Sequence, residues 1–358
     1  MGLPAKKLKR VVVESDYLTE GLFGQILICL LEVTYVLQQF HLRPGFIVRS
    51  KNYGCPKTGN IFPGVIQTNY VPESLAAIPL ELSYAVIREK PNQVVLSLEV
   101  IKKTASGCFS NKHGFLKAAA LFQSYFRFPA DLSNGKDIHK QSSGAIGIHY
   151  RGTDKITETT QTNRIESAQF LIFAENLIRW KKPRYIYVAS DEPGFIQAMK
   201  QKYGPKMLCA RARATKRAPG APFRGHKPSR NISVARQALI DSLNLSRCAI
   251  VLQNCSALAC FAKIFNPKST VYRCAAMKQN WFPLAYTKVI PSVVIGDHQE
   301  EFIQLMKHDV FFDRSFRSMV WRHVYFFRLK AFYKTIEVLK KSKSLWQRIG
   351  NSPGPKSP

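Results

Sequence analysis

Three short runs rich in β-branched and aromatic residues, 145–150, 184–189 and 248–253, alternate along the chain with longer segments of helical periodicity at 166–182, 193–203 and 233–247. Strand, helix, strand in that rhythm is the pattern of parallel βαβ units, in which each helix crosses back over the sheet. The alternation predicts a Rossmann-like lobe over residues 141–300, with its ligand-binding edge outside the carboxyl ends of the strands.

The rest of the chain is organised around that lobe. Gly21-Leu22-Phe23-Gly24-Gln25 is a glycine-bearing turn that runs into an apolar stretch, 26–40, read as a buried helix. Residues 45–49 read as a strand and 52–72 as a long connection rich in Gly, Pro and Asn. Residues 1–140 are therefore assigned to a first α/β lobe of weaker periodicity. Residues 210–230 form a basic loop carrying Arg211, Arg213, Lys216, Arg217, Arg224, Lys227 and Arg230. Within 301–350, Trp321, Tyr325, Phe332, Ile336 and Leu339 make an apolar stripe beside Arg322, Lys330, Lys334, Lys340 and Lys341, which predicts a basic amphipathic C-terminal helix. Residues 351–358 read as a disordered tail. The expected architecture is α/β, two Rossmann-like lobes followed by that helix.

Composition narrows the function. A chain of 358 residues that is 46% hydrophobic and 11% aromatic can fill large cores and is not of the disordered or fibrous type. A formal charge of +30 calls for an anionic partner: nucleic acid, anionic lipid or a diphosphate-bearing substrate. Nucleic acid is the weakest of the three, since the chain has no zinc-finger spacing, no aromatic RNA-binding strands and no Gly-x-x-x-x-Gly-Lys loop. The eight cysteines are scattered without the paired spacings of zinc sites or redox dithiols, and read as small buried thiols; no metal site is expected. The basic start, 1–10, leads into only three valines, too short for a signal peptide, and no run of about 18 apolar residues follows. The expected location is cytoplasmic, with peripheral contact at the inner face of a membrane. The sequons at Asn231, Asn244 and Asn254 carry no glycan there.

The densest polar cluster is Ala145-Ile146-Gly147-Ile148-His149-Tyr150-Arg151-Gly152-Thr153-Asp154-Lys155, a strand whose carboxyl end turns abruptly basic. A guanidinium fixed at such an edge can chelate phosphate oxygens and stabilise charge on a departing diphosphate. An Arg–Asp structural pair is the blander reading. The run from His149 to Lys155 resembles the His-x-Arg-x-Thr-Asp-Lys motif of α-1,6-fucosyltransferases and the related nodulation fucosyltransferases. Residues 185–193 are similar to that family's second strand, and Leu239-Ile240-Asp241 with 250–256 to its third motif. The Gly21–Gln25 loop resembles the glycine loop of the wider superfamily.

The resemblance implies a GT-B-like fold that moves fucose, or a related hexose, from a GDP-sugar to a glycan acceptor, with inversion and without a metal. GDP-fucose or a similar sugar nucleotide is then the donor substrate, and no cofactor is implied. It places Arg151 on the leaving diphosphate, His149 and Asp241 on the guanine, Ser256 on phosphate, and Gly21 and Gly24 at the donor. Ser256 also reads as the cap of a helix over 257–265, Ser190 or Asp191 as the cap of a helix with Pro193 in its first turn, and the glycine loop as a tight turn. The family's second arginine is Gly152 here and its glutamate aligns with Thr159, so Glu158 and Asp154 are the candidate bases. A basic nucleic-acid-binding protein and a catalytically inactive glycan-binding homologue are the competing functions.

Overall fold

The computed structural model describes residues 8–18, 21–50, 52–55, 57–105, 107–109, 114–133, 144–152, 165–209, 228–254, 256–275, 282–283 and 287–291. All lie in one compact unit, Met1–Ser292. The expected C-terminal helix and tail, most of the basic loop, and the candidate bases Asp154 and Glu158 fall outside the described residues.

The N-terminal half builds a mixed sheet. Strand β1 (Lys9–Leu18) lies between β2 (Gly45–Ser50) and β6 (Gln93–Ser97), parallel to both. β5 (Val86–Lys90) adds antiparallel to β6, and β4 (Ser74–Leu75) antiparallel to β1. A two-stranded ribbon, β3 (Gln67–Thr68) with β7 (Phe126–Arg127), stands apart from it. The sequence reading treated 1–10 as a basic leader, and the structure corrects it: from Lys9 the chain is the central strand. Its valines, Val11, Val12 and Val13, are buried, as a strand covered on two faces requires. Helices α1 (Leu27–Gln38), α2 (Leu98–Ala105), α3 (Gly114–Tyr125) and α4 (Ala130–Ser133) complete this half.

The C-terminal half is the parallel sheet the alternation predicts. Strands β8 (Ile146–Tyr150), β9 (Ile186–Ser190), β10 (Met207–Leu208), β11 (Ile250–Gln253), β12 (Thr270–Ala275) and β13 (Lys288–Pro291) pair in the order β10-β9-β8-β11-β12-β13, every pair parallel. Helices α5 (Ser167–Lys181), α6 (Pro193–Tyr203), α7 (Pro228–Arg247) and α8 (Ala257–Phe265) connect them. Counted within the sheet, the order reverses between β8 and β11, which makes their carboxyl ends the topological switch point of a doubly wound sheet.

Helices α7 and α8 of the C-terminal half pack into the apolar core of the N-terminal half, while the strands of the large sheet bury a second cluster around Tyr187, Val251 and Val271. α8 is apolar on almost every side, and such a helix is stable only when enclosed. Phe261 meets Phe23 at 5.6 Å between ring centroids, and Phe265 meets Phe122 at 5.0 Å and Phe128 at 5.1 Å. Ala235 and Leu239 of α7 belong to the same cluster as Val11, Leu30 and Leu96. Arg236 reaches across to the Asp131 carboxylate and donates to the Gly64 carbonyl at 2.8 Å.

Gly147 explains how closely α7 can approach β8. A Cβ there would stand 2.7 Å from the Leu245 side chain and 3.3 Å from both Cys248 and Val251. Gly147→Val should therefore destabilise the protein by about 2 kcal/mol through overpacking. Gly64→Ala, where a Cβ meets nothing, should stay within about 0.5 kcal/mol. Urea unfolding of the two variants checks the contrast.

Candidate functional site at the sheet switch point

At the switch point the chain leaves β8 through Arg151 and leaves β11 through Asn254, and these two residues are tied together. The Arg151 N–H donates to Asn254 Oδ1 at 2.9 Å, while Asn254 Nδ2 donates to the Arg151 carbonyl at 2.7 Å. A side-chain amide that both donates to and accepts from the backbone of one residue fixes that residue as a neighbouring strand would. Asn254, named in the sequence as a sequon and otherwise only as one position of the 250–256 segment, is thus engaged at the strand end. It is buried and engaged in this pairing.

His149 and Ser256 form the second tie. His149 lies across from Gln253 in the β8–β11 ladder and is buried, 6% exposed. Its Nδ1 is 3.1 Å from the Ala189 carbonyl and its Nε2 is 2.9 Å from Ser256 Oγ. A carbonyl oxygen only accepts, so Nδ1 carries the ring proton and Nε2 accepts from the Ser256 hydroxyl. Burial first, and the nearby Arg151 charge second, lower the His149 pKa to about 3, so the imidazole is neutral. The one proton of Ser256 is thereby directed at His149 and not at a ligand. Ser256 does stand at the N-cap of α8, as the sequence suggested, but makes no side-chain cap bond. Gln253 Oε1 instead accepts from the Ser256 N–H at 2.9 Å. The start of α8, which follows the end of β11, has no side-chain cap from Ser256, and uncapped helix starts are where anions bind.

A third strand end adds two carboxylates, Asp191, which the sequence offers with Ser190 as a helix cap, and Glu192. Pro193 is at the first position of α6, as expected, but the N-cap is Glu192 and its side chain makes no cap bond. Asp191 Oδ1 accepts from the Gly152 N–H at 2.9 Å, and Ser190 Oγ accepts from the Glu192 N–H at 3.1 Å. A Cβ on Gly152 would collide with the Glu192 carboxylate and crowd the Tyr150 ring, so glycine leaves room for the side chain at the start of α6. Tyr150, 4.8 Å from Phe195 between centroids, backs this loop with an apolar wall.

Asp241 belongs to a different polar cluster on α7. It accepts from Tyr187 of β9 at 2.7 Å and from Gln237 at 3.5 Å. The residue keeps partial exposure while protein surrounds its carboxyl deeply enough that desolvation raises its pKa to about 7, against the lowering effect of those two donors. Gly21 and Gly24 flank and enter a π-helical turn, Leu22–Ile26, that leads into α1 and packs through Phe23 on α8. Neither glycine has a positive φ and a Cβ on either would meet nothing, so a tight turn is not what calls for glycine there. Open space beside the backbone is what these positions provide. Thus His149, Arg151 and Ser256 come together, Gly21 and Gly24 share their helix as a wall, and Asp241 is held by its own partners. Asp191, Glu192, Asn254 and Tyr187 are the site residues that sequence reasoning missed. Their one legible signal is position, since Asp191 and Asn254 directly follow strand ends and Glu192 comes one residue later.

Among the described residues, no three His, Cys, Asp or Glu side chains converge as metal ligands, and no helix is long and apolar enough to cross a membrane. A scan against protein-family models and a search of curated proteins give no match. Among solved structures, the chain is similar to the NodZ α-1,6-fucosyltransferase soaked with GDP-fucose, at 16% identity and TM-score 0.43 over 72% of this chain and 93% of that one. It is similar to NodZ from Bradyrhizobium at 14% identity and TM-score 0.41, over 71% and 92%. An Arabidopsis thaliana FUT1 mutant in complex with GDP gives 12% identity and TM-score 0.34, over 78% and 73%. At such identities and scores, likeness of this kind does not transfer an activity from one chain to another.

The two perturbed groups pull stability in opposite directions. Asp241, raised from 3.8 to about 7, binds its proton more tightly in the folded state, so its contribution is full below pH 3.8 and is lost as pH rises through 7. His149, lowered from 6.5 to about 3, contributes fully above pH 6.5 and loses that contribution as pH falls toward 3. Between about pH 4 and 6.5 the two slopes offset. Asp241→Asn should unmask stability that climbs with pH across this window, and His149→Asn stability that declines. Denaturant midpoints measured at pH 4, 5, 6 and 7 would show both slopes.

Proposed function

We propose that this chain is a glycosyltransferase that moves fucose, or a related hexose, from a GDP-sugar to a glycan acceptor, with inversion and without a metal, between two lobes of the GT-B kind. The observation that carries the reading is Arg151, held by Asn254 at the switch point of a doubly wound sheet, beside a helix start without a side-chain cap. Phosphate groups bind at such edges, where backbone N–H groups and a fixed guanidinium converge. The strand-end run His149 to Lys155, with its resemblance to the fucosyltransferase motif, supplies the donor class.

In this reading Arg151 chelates the diphosphate and stabilises its charge as the glycosidic bond breaks, and the first N–H groups of α8 share that charge. His149 and Ser256, bonded to each other, fix the height of α8 against β8. Their assigned contacts with guanine and phosphate then involve exchange of that bond for one to the ligand. Asp241, once ionised, accepts from the N–H donors of the guanine edge. The backbone at Gly21 and Gly24 borders the donor from the opposite sheet. Glu158 or Asp154 takes the proton of the acceptor hydroxyl.

Peripheral association with an anionic membrane face is part of the proposal. Arg179, Lys181, Lys182, Arg184, Lys200 and Lys206 are all exposed at the amino end of the large sheet, and each cation near an anionic surface contributes ~1 kcal/mol.

The test is turnover of a panel of sugar nucleotides with mixed oligosaccharide acceptors, read as released nucleotide. GDP-fucose should be consumed, and Arg151→Ala should lower kcat by a factor of about 100 to 1000 while Arg151→Lys recovers part of it. Donor binding without turnover would identify an inactive glycan-binding homologue. Salt-dependent retention on DNA with no response to any sugar nucleotide would establish the nucleic-acid reading instead.

A further inference from the structure

A chain of hydrogen bonds, all running in one direction, ends on Asp241. Arg247 Nη1 donates to Asn244 Oδ1 at 3.3 Å, and Asn244 Nδ2 donates to the Tyr187 hydroxyl at 3.2 Å. Tyr187 donates in turn to Asp241 Oδ1 at 2.7 Å, and Gln237 adds a longer bond to the same oxygen. Tyr187 is fully buried in the middle of β9, and Asn244 is buried beside it. A phenol of that size can be enclosed there only because its hydroxyl both donates and accepts.

The consequence lies in the other carboxylate oxygen. Both donors converge on Oδ1, and among the described residues Oδ2 accepts no hydrogen bond although Asp241 keeps partial exposure. The carboxylate cannot rotate without giving up the Tyr187 bond, so Oδ2 is the oxygen left to accept from a ligand.

We infer that Tyr187 is a positioning residue for nucleotide recognition: by anchoring Oδ1 of Asp241 it presents Oδ2 to the paired N–H donors of a guanine edge. This rests on the donor reading above. Tyr187 stabilises the ionised form of Asp241, the form that accepts, since a protonated carboxyl would offer a donor to a donor. The other titratable groups around this cluster are few. Cys209 lies near Tyr187 beyond β10, Arg247 stands behind Asn244, His149 on β8 is neutral, and Asp131 on α4 is paired with Arg236.

Tyr187→Phe removes only the hydroxyl. Its ligand-free effect is read by a carboxyl-carbon NMR titration of Asp241, whose midpoint should rise by about one pH unit. Asn244→Ala, which weakens the same bond at one remove, should move it in the same direction by less. GDP affinity, measured by calorimetry across pH 5 to 9, should fall in Tyr187→Phe even at pH 9, where Asp241 is ionised but no longer anchored, and should fall about tenfold further at pH 6, following the shifted midpoint. A role in packing alone would lower affinity equally at every pH. An Asp241 midpoint that is the same in all three proteins overturns the inference. So does GDP binding with identical pH dependence in wild type and Tyr187→Phe. Shifted Asp241 midpoints with no GDP binding at any pH overturn the donor reading instead.

Discussion

The carboxyl edge of the large sheet depends on the reciprocal hydrogen bonds between Asn254 and the backbone of Arg151. β8 and β11 run parallel and adjacent up to His149 and Gln253, but beyond that row the ladder ends and the two chains would separate. Asn254 extends the pairing by one step. It keeps Arg151 at the point where the strand order reverses. Its neighbours reinforce the arrangement, since Gln253 holds the start of α8 and Ser256 holds His149. These bonds fix the backbone from which the Arg151 side chain projects, so the position of that residue at the strand end is set before any ligand arrives.

The same fixing leaves a buried, neutral imidazole and a recessed carboxyl on one side of the sheet. Both are held against their ordinary ionisation by desolvation, and both cost stability in part of the pH range. Groups displaced in this manner concentrate at sites with a task. The large positive charge of the chain is arranged differently. Its exposed cations on the described part of the large sheet gather in the last turns of α5 and α6 and before β9 and β10, at the end opposite Arg151. Cations there complement the negative ends of the helices. They lie away from the carboxyl edge, where Arg151 stands beside the Asn254 amide and the loop that carries Asp191 and Glu192.

Much of the large sheet was legible because its strands and helices carry different periodicities. The runs at 145–150, 184–189 and 248–253 match β8, β9 and β11 within two residues, and 193–203 is α6. The first half was harder. Val11 to Val13 follow a basic run, and only pairing with β2 and β6 reveals a central strand; no local pattern encodes a partner that lies tens of residues away. At the site, Arg151 and His149 could be read from one dense motif. Asn254, Asp191 and Tyr187 could not, because their roles arise from register across parallel strands. Ser256 was placed correctly at a helix start, yet its hydroxyl turns to His149, a contact set by the β8–β11 spacing. The glycines at 21 and 24 were recognised, while their reason, open space in place of a left-handed turn, needed the structure.

The central claim is that Arg151 and the start of α8 form a diphosphate site. Comparing the affinities of GDP and guanosine for the wild type and for Arg151→Ala isolates the diphosphate from the base. GDP should bind at least about 100-fold more tightly than guanosine, a gap of ~3 kcal/mol, and most of that gap should close in the variant. Equal affinities in the wild type, or a gap that survives loss of Arg151, would contradict it.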